Sequence, residues 1–254
     1  MTKDRLQAQQ RASSAIHNRQ PCFPCSTSLE AAKAARRFAE YWNDAFPHPQ
    51  HFDCYTSALA DAIEPHQKAG DLAQIAQSVD WFGLNHYSPH YIRADANLIG
   101  ATFGALPEDV PRTSIGWPIV PGAFHDTLLD VHHRFRLPIY VLENGTASDD
   151  NPDSAGGVQE PGRVAYLQAY IDAMQQAISA RADVRGYFVW SLLDNFEWAS
   201  GYSQRFGLVY VDYATQRRIP KASARWYSDL IAERRKSPVP TAGGNPVNAA
   251  AALR

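Results

Sequence analysis

Two hydrophobic patterns take turns along the chain. Three short runs, residues 80–85, 138–142 and 187–190, are nearly continuous in apolar and aromatic side chains. That is the pattern of strands covered on both faces. Between them the apolar positions recur at helical spacing. Leu167, Ile171, Met174 and Ile178 keep a 4-3-4 interval, which predicts an amphipathic helix over 163–180. Helices are also predicted over 122–135 and 221–234. Near the start, Thr27-Ser28-Leu29-Glu30 reads as a capping box. The helix it opens carries Leu29, Ala32, Ala35, Phe38, Trp42 and Ala45 on one side and ends near Phe46-Pro47. A second helical stretch covers 56–68, is interrupted by Pro65 and stops at Gly70. Tyr91-Ile92-Arg93 reads as a short extended piece. Strands that alternate with helices require a parallel sheet with the helices outside it, the α/β class.

Polar punctuation fixes the remainder. Residues 94–120 contain Gly100, Gly104, Pro107, Pro111 and Pro118 and read as a long loop, a kind of segment that usually carries function. Residues 146–162 are rich in Asp, Gly and Pro and read as an exposed, mobile loop. The first twenty residues are polar and without periodicity. Residues 237–254 are mostly Pro, Gly, Asn and Ala, which predicts a disordered tail.

Composition narrows the function classes. With 254 residues, 45% hydrophobic and 20% charged, the chain is an ordinary globular sequence. A net charge of −2 gives no reason to expect nucleic acid or an anionic membrane as partner. No apolar run approaches the roughly 18 residues of a membrane span, and the first ten residues lack the apolar core of a secretory signal. A cytoplasmic location is the default expectation. Three cysteines imply no disulfide framework. Cys22 and Cys25 have C-x-x-C spacing, with His48, His51 and Cys54 downstream. A zinc site needs a second half to such a motif, so no metal is expected.

The chemistry concentrates after the strand at 187–190. Asp194, Asn195, Glu197, Trp198, Tyr202, Gln204 and Arg205 crowd carboxylates, amides and rings onto one loop. Sugar hydroxyls want bidentate partners and a sugar's C–H face wants a ring, so the loop suits a carbohydrate. The bland alternative is an aromatic-rich packing loop. Order decides between them, because the stretch 186–210 resembles the C-terminal signature of the family 1 glycoside hydrolases, the β-glucosidases and relatives. Asp80-Trp81-Phe82-Gly83-Leu84-Asn85-His86-Tyr87-Ser88 resembles that family's D-F-x-G-x-N-Y-Y-[ST] strand, and Tyr140-Val141-Leu142-Glu143-Asn144-Gly145 its Y-[IV]-T-E-N-G strand. Weaker similarity includes Gly116-Trp117-Pro118-Ile119, and the whole resemblance runs from roughly Pro21 to about Arg234.

The resemblance implies a (β/α)₈ barrel of TIM type, with active residues at the C-terminal ends of strands. It implies that Glu143 is the nucleophile of a retaining β-glycosidase. Tyr87 would donate a hydrogen bond to it and favour its ionised form. Glu197 would accept from the 4- and 6-hydroxyls of the sugar, Trp198 would donate to the 3-hydroxyl, and Trp190 would floor the ring. Asn85 and Phe206 are further substrate-binding candidates. A carboxylate beside the 6-position repels a 6-phosphate, so unphosphorylated sugars are expected.

Small departures are His86 for a tyrosine and Leu142 for a threonine. A larger one concerns the acid/base, which the family carries in a T-x-N-E-P motif that this sequence does not contain. Glu64-Pro65 lacks the Asn and sits in a helical context. The expected fold is therefore the C-terminal part of the barrel, about strands 5/6 to 8. It divides into a non-family segment 1–20, a partial barrel domain 21–236 and the tail 237–254. The expected function is β-glucosidase-like hydrolysis with the acid/base half absent from this sequence; the alternative is a non-catalytic sugar-binding or remnant protein. The expected ligand is a β-glucoside or small oligosaccharide without a cofactor. The expected protein partner is a second copy or a separate N-terminal half chain.

Overall fold

The computed structural model describes residues 13–236, and the tail expected over 237–254 lies outside them. Four parallel strands form the central sheet in the order β1 (Ser14–Asn18), β3 (Trp81–Asn85), β6 (Ile139–Asn144) and β7 (Val184–Val189). Helices α5 (Pro121–Phe135) and α6 (Pro161–Ser179) connect the last three of these strands, and α7 (Ala222–Lys236) follows them. This is the α/β pattern expected from the sequence. One face of the sheet presents Phe82, Leu84, Ile139 and Val141 to Phe124, Leu128, Val131 and Phe135 of α5 and Leu167 and Tyr170 of α6, forming the main core. Burying each such side chain contributes about 1.5–3 kcal/mol.

A smaller layer stands beside this core. Strands β2 (Cys22–Pro24), β4 (His90–Ala94) and β5 (Ala101–Phe103) form a second sheet, covered by α1 (Leu29–Ala39). Ala34, Ala35 and Phe38 of α1 meet Ile92 and Ala101 there. The cap of α1 is Ser28, whose side chain accepts from the Ala31 N–H, rather than Thr27. Ala31 and Ala34 face inward and Leu29 is exposed, so the buried stripe is rotated from the expected one. A wider turn, Glu40–Asp44, continues α1 to the expected end near Pro47. Short helices α2 (Pro47–Phe52), α3 (Ser57–Ile63) and α4 (Asp71–Ile75) lead to β3. A hairpin of β8 (Val209–Val211) and β9 (Arg218–Pro220) precedes α7. Strand β1 and this hairpin have no counterpart in the sequence reading.

Buried ions tie the loops after β6 and β7 to the start of α7. Lys221, with no exposed surface, donates to Asp150 and to Asp194 Oδ1 (2.8 Å). Asp150 also accepts from Arg163 (2.7 Å), and Asp194 accepts from Arg205 (2.7 Å) and from the Gly207 N–H (2.9 Å). Glu160 accepts from the Ala222 and Ser223 N–H groups and from the Ser223 hydroxyl. Three carboxylates thus face three cations. Burial, and then repulsion from Arg163, push the Lys221 pKa down, while the two aspartates oppose that shift.

Two histidines are also buried against the sheet. His86, which follows β3, packs on Phe124 (4.9 Å between rings), and its Nδ1 donates to the Arg19 carbonyl (3.0 Å). Burial pushes its pKa down to about 3. Burial likewise lowers His17 to about 4, against a hydrogen bond that its Nε2 donates to Gln50 Oε1 and that opposes the shift.

Two predictions follow from these buried groups. Lys221→Met leaves Asp150 and Asp194 short of a partner, and urea denaturation should show a loss of about 3–5 kcal/mol. A loss under about 1 kcal/mol would mean the network contributes no more than exposed ion pairs do. For His86 the folded pKa lies below the unfolded one, so from about pH 6 down to pH 4 the unfolded chain binds the extra proton and stability decreases as the pH is lowered. His86→Gln should reduce the slope of unfolding free energy against pH in that window by about 1.4 kcal/mol per pH unit. An unchanged slope would mean that the folded chain protonates this ring as readily as the unfolded one.

Candidate active site

The strand register brings Asn18, Asn85 and Glu143 level at the C-terminal end of the sheet. They open onto a cavity of about 640 Å³ that Gln20, Tyr87, Trp117, Trp190, Glu197 and Trp198 also line. Three of the predicted positions arrive there by strand geometry: Asn85 ends β3, Glu143 is the penultimate residue of β6, and Trp190 follows β7.

The carboxylate of Glu143 is positioned by its neighbours. Tyr87 donates its hydroxyl to Glu143 Oε2 at 2.8 Å and engages only that oxygen. Burial first, then the charge of Glu143, raise the Tyr87 pKa, so the phenol stays a donor throughout the working range. Tyr87 is itself held from several sides. Tyr166 and Tyr170 donate to its carbonyl (3.2 and 3.1 Å), and Gln20 Oε1 accepts from the N–H groups of Tyr87 and Ser88 (3.1 Å each). Trp117 meets its ring edge-on at 5.4 Å. Asn144, next to the carboxylate, donates to the His86 carbonyl (2.8 Å) and accepts from the Tyr187 hydroxyl (2.7 Å). Gly145 runs so close to the Trp190 carbonyl that a Cβ there would overlap it, which explains a glycine directly after the Glu143-Asn144 pair.

Glu197 and the two tryptophans form the other wall. Trp190 Nε1 donates to Glu197 Oε2 at 3.3 Å. Burial raises the Glu197 pKa; the Trp190 hydrogen bond opposes this and the charge of Glu143 adds to it. Trp198 stands at the rim, 81% exposed, and is free to meet a ligand. Asn85 Oδ1 is a buried acceptor with no hydrogen-bond partner among the described residues, an unmet group at the edge of the cavity.

The structure does not bring every candidate to the cavity. Phe206 is 2% exposed and sits behind Tyr87 and Trp117, with ring separations of 6.3 and 5.9 Å, so it supports those rings and is outside the lining. Gln20 and Trp117 were not singled out by the sequence reading. Trp117 lay in a segment whose similarity was noted, whereas Gln20 had no local signal. Glu143 and Glu197 are the carboxylates of the lining, and no further Asp or Glu reaches it among the described residues. Of the cysteine and histidine candidates, Cys54 lies 3.9 Å from His48 Nδ1, and the described residues contain no group of three or more metal-ligating side chains. No helix among them is long and apolar enough to cross a membrane.

Comparison with known proteins agrees with this geometry. The family model described as "Glycosyl hydrolase family 1" matches residues 2–236. Beta-glucosidase A of Thermotoga maritima is 38% identical over 213 residues, 82% of this chain and 48% of the relative. The beta-glucosidase of an Agrobacterium species is 37% identical over 85% of this chain and 48% of its own length. A solved structure of the Thermotoga maritima beta-glucosidase in complex with deoxynojirimycin superposes with a TM-score of 0.83 at 36% identity, over 90% of this chain and 52% of that one. The psychrophilic beta-glucosidase BglU of Micrococcus antarcticus gives 0.83 at 33% identity, over 91% and 55%. The chain therefore spans about half the length of the relatives it matches. With a family match over nearly its whole length, and with Tyr87, Glu143 and Glu197 on one cavity at the strand ends, the chain belongs to glycosyl hydrolase family 1.

Proposed function

We propose that this chain carries the glycone-binding and nucleophile half of a retaining β-glucosidase. The observation that bears most weight is the 2.8 Å hydrogen bond from Tyr87 to Glu143, made between two strands at the mouth of a sugar-sized cavity. A carboxylate with one oxygen fixed by a phenol has the other available for an anomeric carbon. In the first step Glu143 would form a bond to that carbon as the glycosidic C–O bond breaks, and the leaving oxygen would take the electron pair. Retaining enzymes set a second carboxyl group about 5–5.5 Å away to protonate that oxygen and then to deprotonate water. The lining offers only Glu197, which is bound to Trp190 and reads as a ligand for sugar hydroxyls. Without the acid, each step would be slower by about 10²–10⁴-fold.

The relatives' complexes with deoxynojirimycin and other sugar-like inhibitors support a glucose-shaped ligand. Glu197 beside the ring would repel a phosphate on the sugar, which favours unphosphorylated glycosides. A second reading, a sugar-binding protein without turnover, draws on the absence of a third carboxylate from the described lining.

Two measurements test these assignments. Incubation with an activated 2-fluoro-glucoside, whose leaving group departs without a proton, should raise the intact mass by one glycosyl unit and place the adduct on Glu143; Glu143→Gln should abolish it. An adduct elsewhere, or one that survives the substitution, would refute the nucleophile assignment. Calorimetric titration with deoxynojirimycin should show binding that Glu197→Gln weakens about 10–100-fold, the effect of losing a hydrogen bond to a charged group. Equal affinity would remove Glu197 from the sugar site.

A further inference from the structure

Among the described residues, helices cover only one face of the central sheet. The other face carries Ile16, Trp81, Tyr140 and Phe188, with Ile16 58% and Phe188 54% exposed. No charged side chain interrupts this apolar middle. Glu143 stands above it at the cavity, and Arg185, paired with Asp183 at 2.8 Å, marks its lower rim. The outer edges of β1 and β7 are unpaired among the described residues, although each is parallel to its inner neighbour. Unpaired edges and an uncovered apolar face are surfaces that folded chains pair or cover.

One row across this face gives the geometry of the missing cover. Ile16, Gly83, Tyr140 and Gly186 are in register on β1, β3, β6 and β7. Large side chains on β1 and β6 alternate with glycines on β3 and β7. The Ile16 side chain lies over Gly83, where a Cβ would meet its Cγ1 at 3.2 Å, and the Tyr140 ring lies over Gly186, where a Cβ would approach within 2.6 Å. In a closed eight-stranded parallel barrel each interior layer holds four side chains, taken from alternate strands. This row supplies two of the four.

We propose that this face is the interface between two copies of the chain. They are related by a twofold axis parallel to the strands, so that β7 of each copy pairs with β1 of the other and eight strands close into a barrel. The twofold keeps every strand parallel and doubles the Ile16–Tyr140 pair into one complete layer. It also uses both open edges at once, and the two seams are equivalent, as closed symmetry requires. Exposed Leu192 continues the apolar strip of β7 past the end of the strand and widens each seam. The pairing rests on the sheet alone, so it stands or falls separately from the reading of Glu143.

Sedimentation of the purified chain over about 1–100 µM tests the pairing, that range spanning the usual strengths of specific association. The expected species is a dimer. Phe188→Glu and Ile16→Glu should each give a monomer with an unchanged circular dichroism spectrum, while Leu98→Glu, on a remote exposed loop, should stay dimeric. Edge pairing is separated from face-to-face stacking by mixing two chains on a background with Cys22, Cys25 and Cys54 replaced by Ser. One chain carries Ala15→Cys on β1 and the other Arg185→Cys on β7. A short bismaleimide should link the mixture between unlike chains, and should link neither chain to itself. A native monomer across the range, an open series of larger species, or a dimer that links Ala15→Cys to itself would each overturn the proposal.

Discussion

The Lys221 ammonium, held between Asp150 and Asp194 away from water, is the contact on which the site's framework depends. Its two acceptors come from different loops, one after β6 and one after β7, and the lysine directly precedes α7. A charge buried so completely is tolerable only with its partners in place, so these three segments are locked together or not formed. Asp194 passes the constraint on through Arg205 and the Gly207 N–H to the far end of the loop that carries Glu197 and Trp198. Arg163 passes it from Asp150 to the carbonyls of Thr146 and Arg205. The rigidity of this cavity wall therefore comes from ions beneath it, and Trp198 is left exposed at the rim.

A second constraint is the close approach of β6 and β7. Gly145 leaves no room for a side chain beside Trp190, so the carboxylate of Glu143 and the indole of Trp190 keep a fixed spacing set by backbone. On the opposite side, Tyr87 is positioned through its own main chain, by two tyrosine hydroxyls on its carbonyl and Gln20 on its N–H. Hydrogen bonds to backbone tolerate little displacement. The phenol is therefore aimed at Glu143 by contacts to its own main chain.

Much of this was legible in the sequence, for identifiable reasons. Strands β3, β6 and β7 are covered by helices on one face and carry apolar residues on the other, so they read as continuous runs, and their polar termini marked the site. Strand β1 escaped notice because its run, Ser-Ala-Ile-His-Asn, holds only two aliphatic residues and sits at a sheet edge where little is buried. The stripe of α1 was misplaced because alanines at every phase of the helix make its periodicity weak. Gln20 has no local signal at all; its role appears only when β1 lies beside β3. Phe206 was a substrate-binding candidate only through the family resemblance, and it lies buried behind Tyr87 and Trp117.

The same geometry explains how half the length of a family barrel can hold the Tyr87–Glu143 pair in place. Asn85 and Glu143 lie on adjacent strands, Tyr87 and Trp190 follow β3 and β7 closely, and Glu143 and Asn144 take their hydrogen bonds from the segment just after β3. Closing the barrel adds nothing to those contacts. The open face, by contrast, presents Trp81, Tyr140 and Phe188, the side chains that a cover would contact. Assembly of the Glu143 wall and covering of the open face are therefore separable properties of this fold. The first is set by local strand pairing and buried ions, the second by whatever meets the open face.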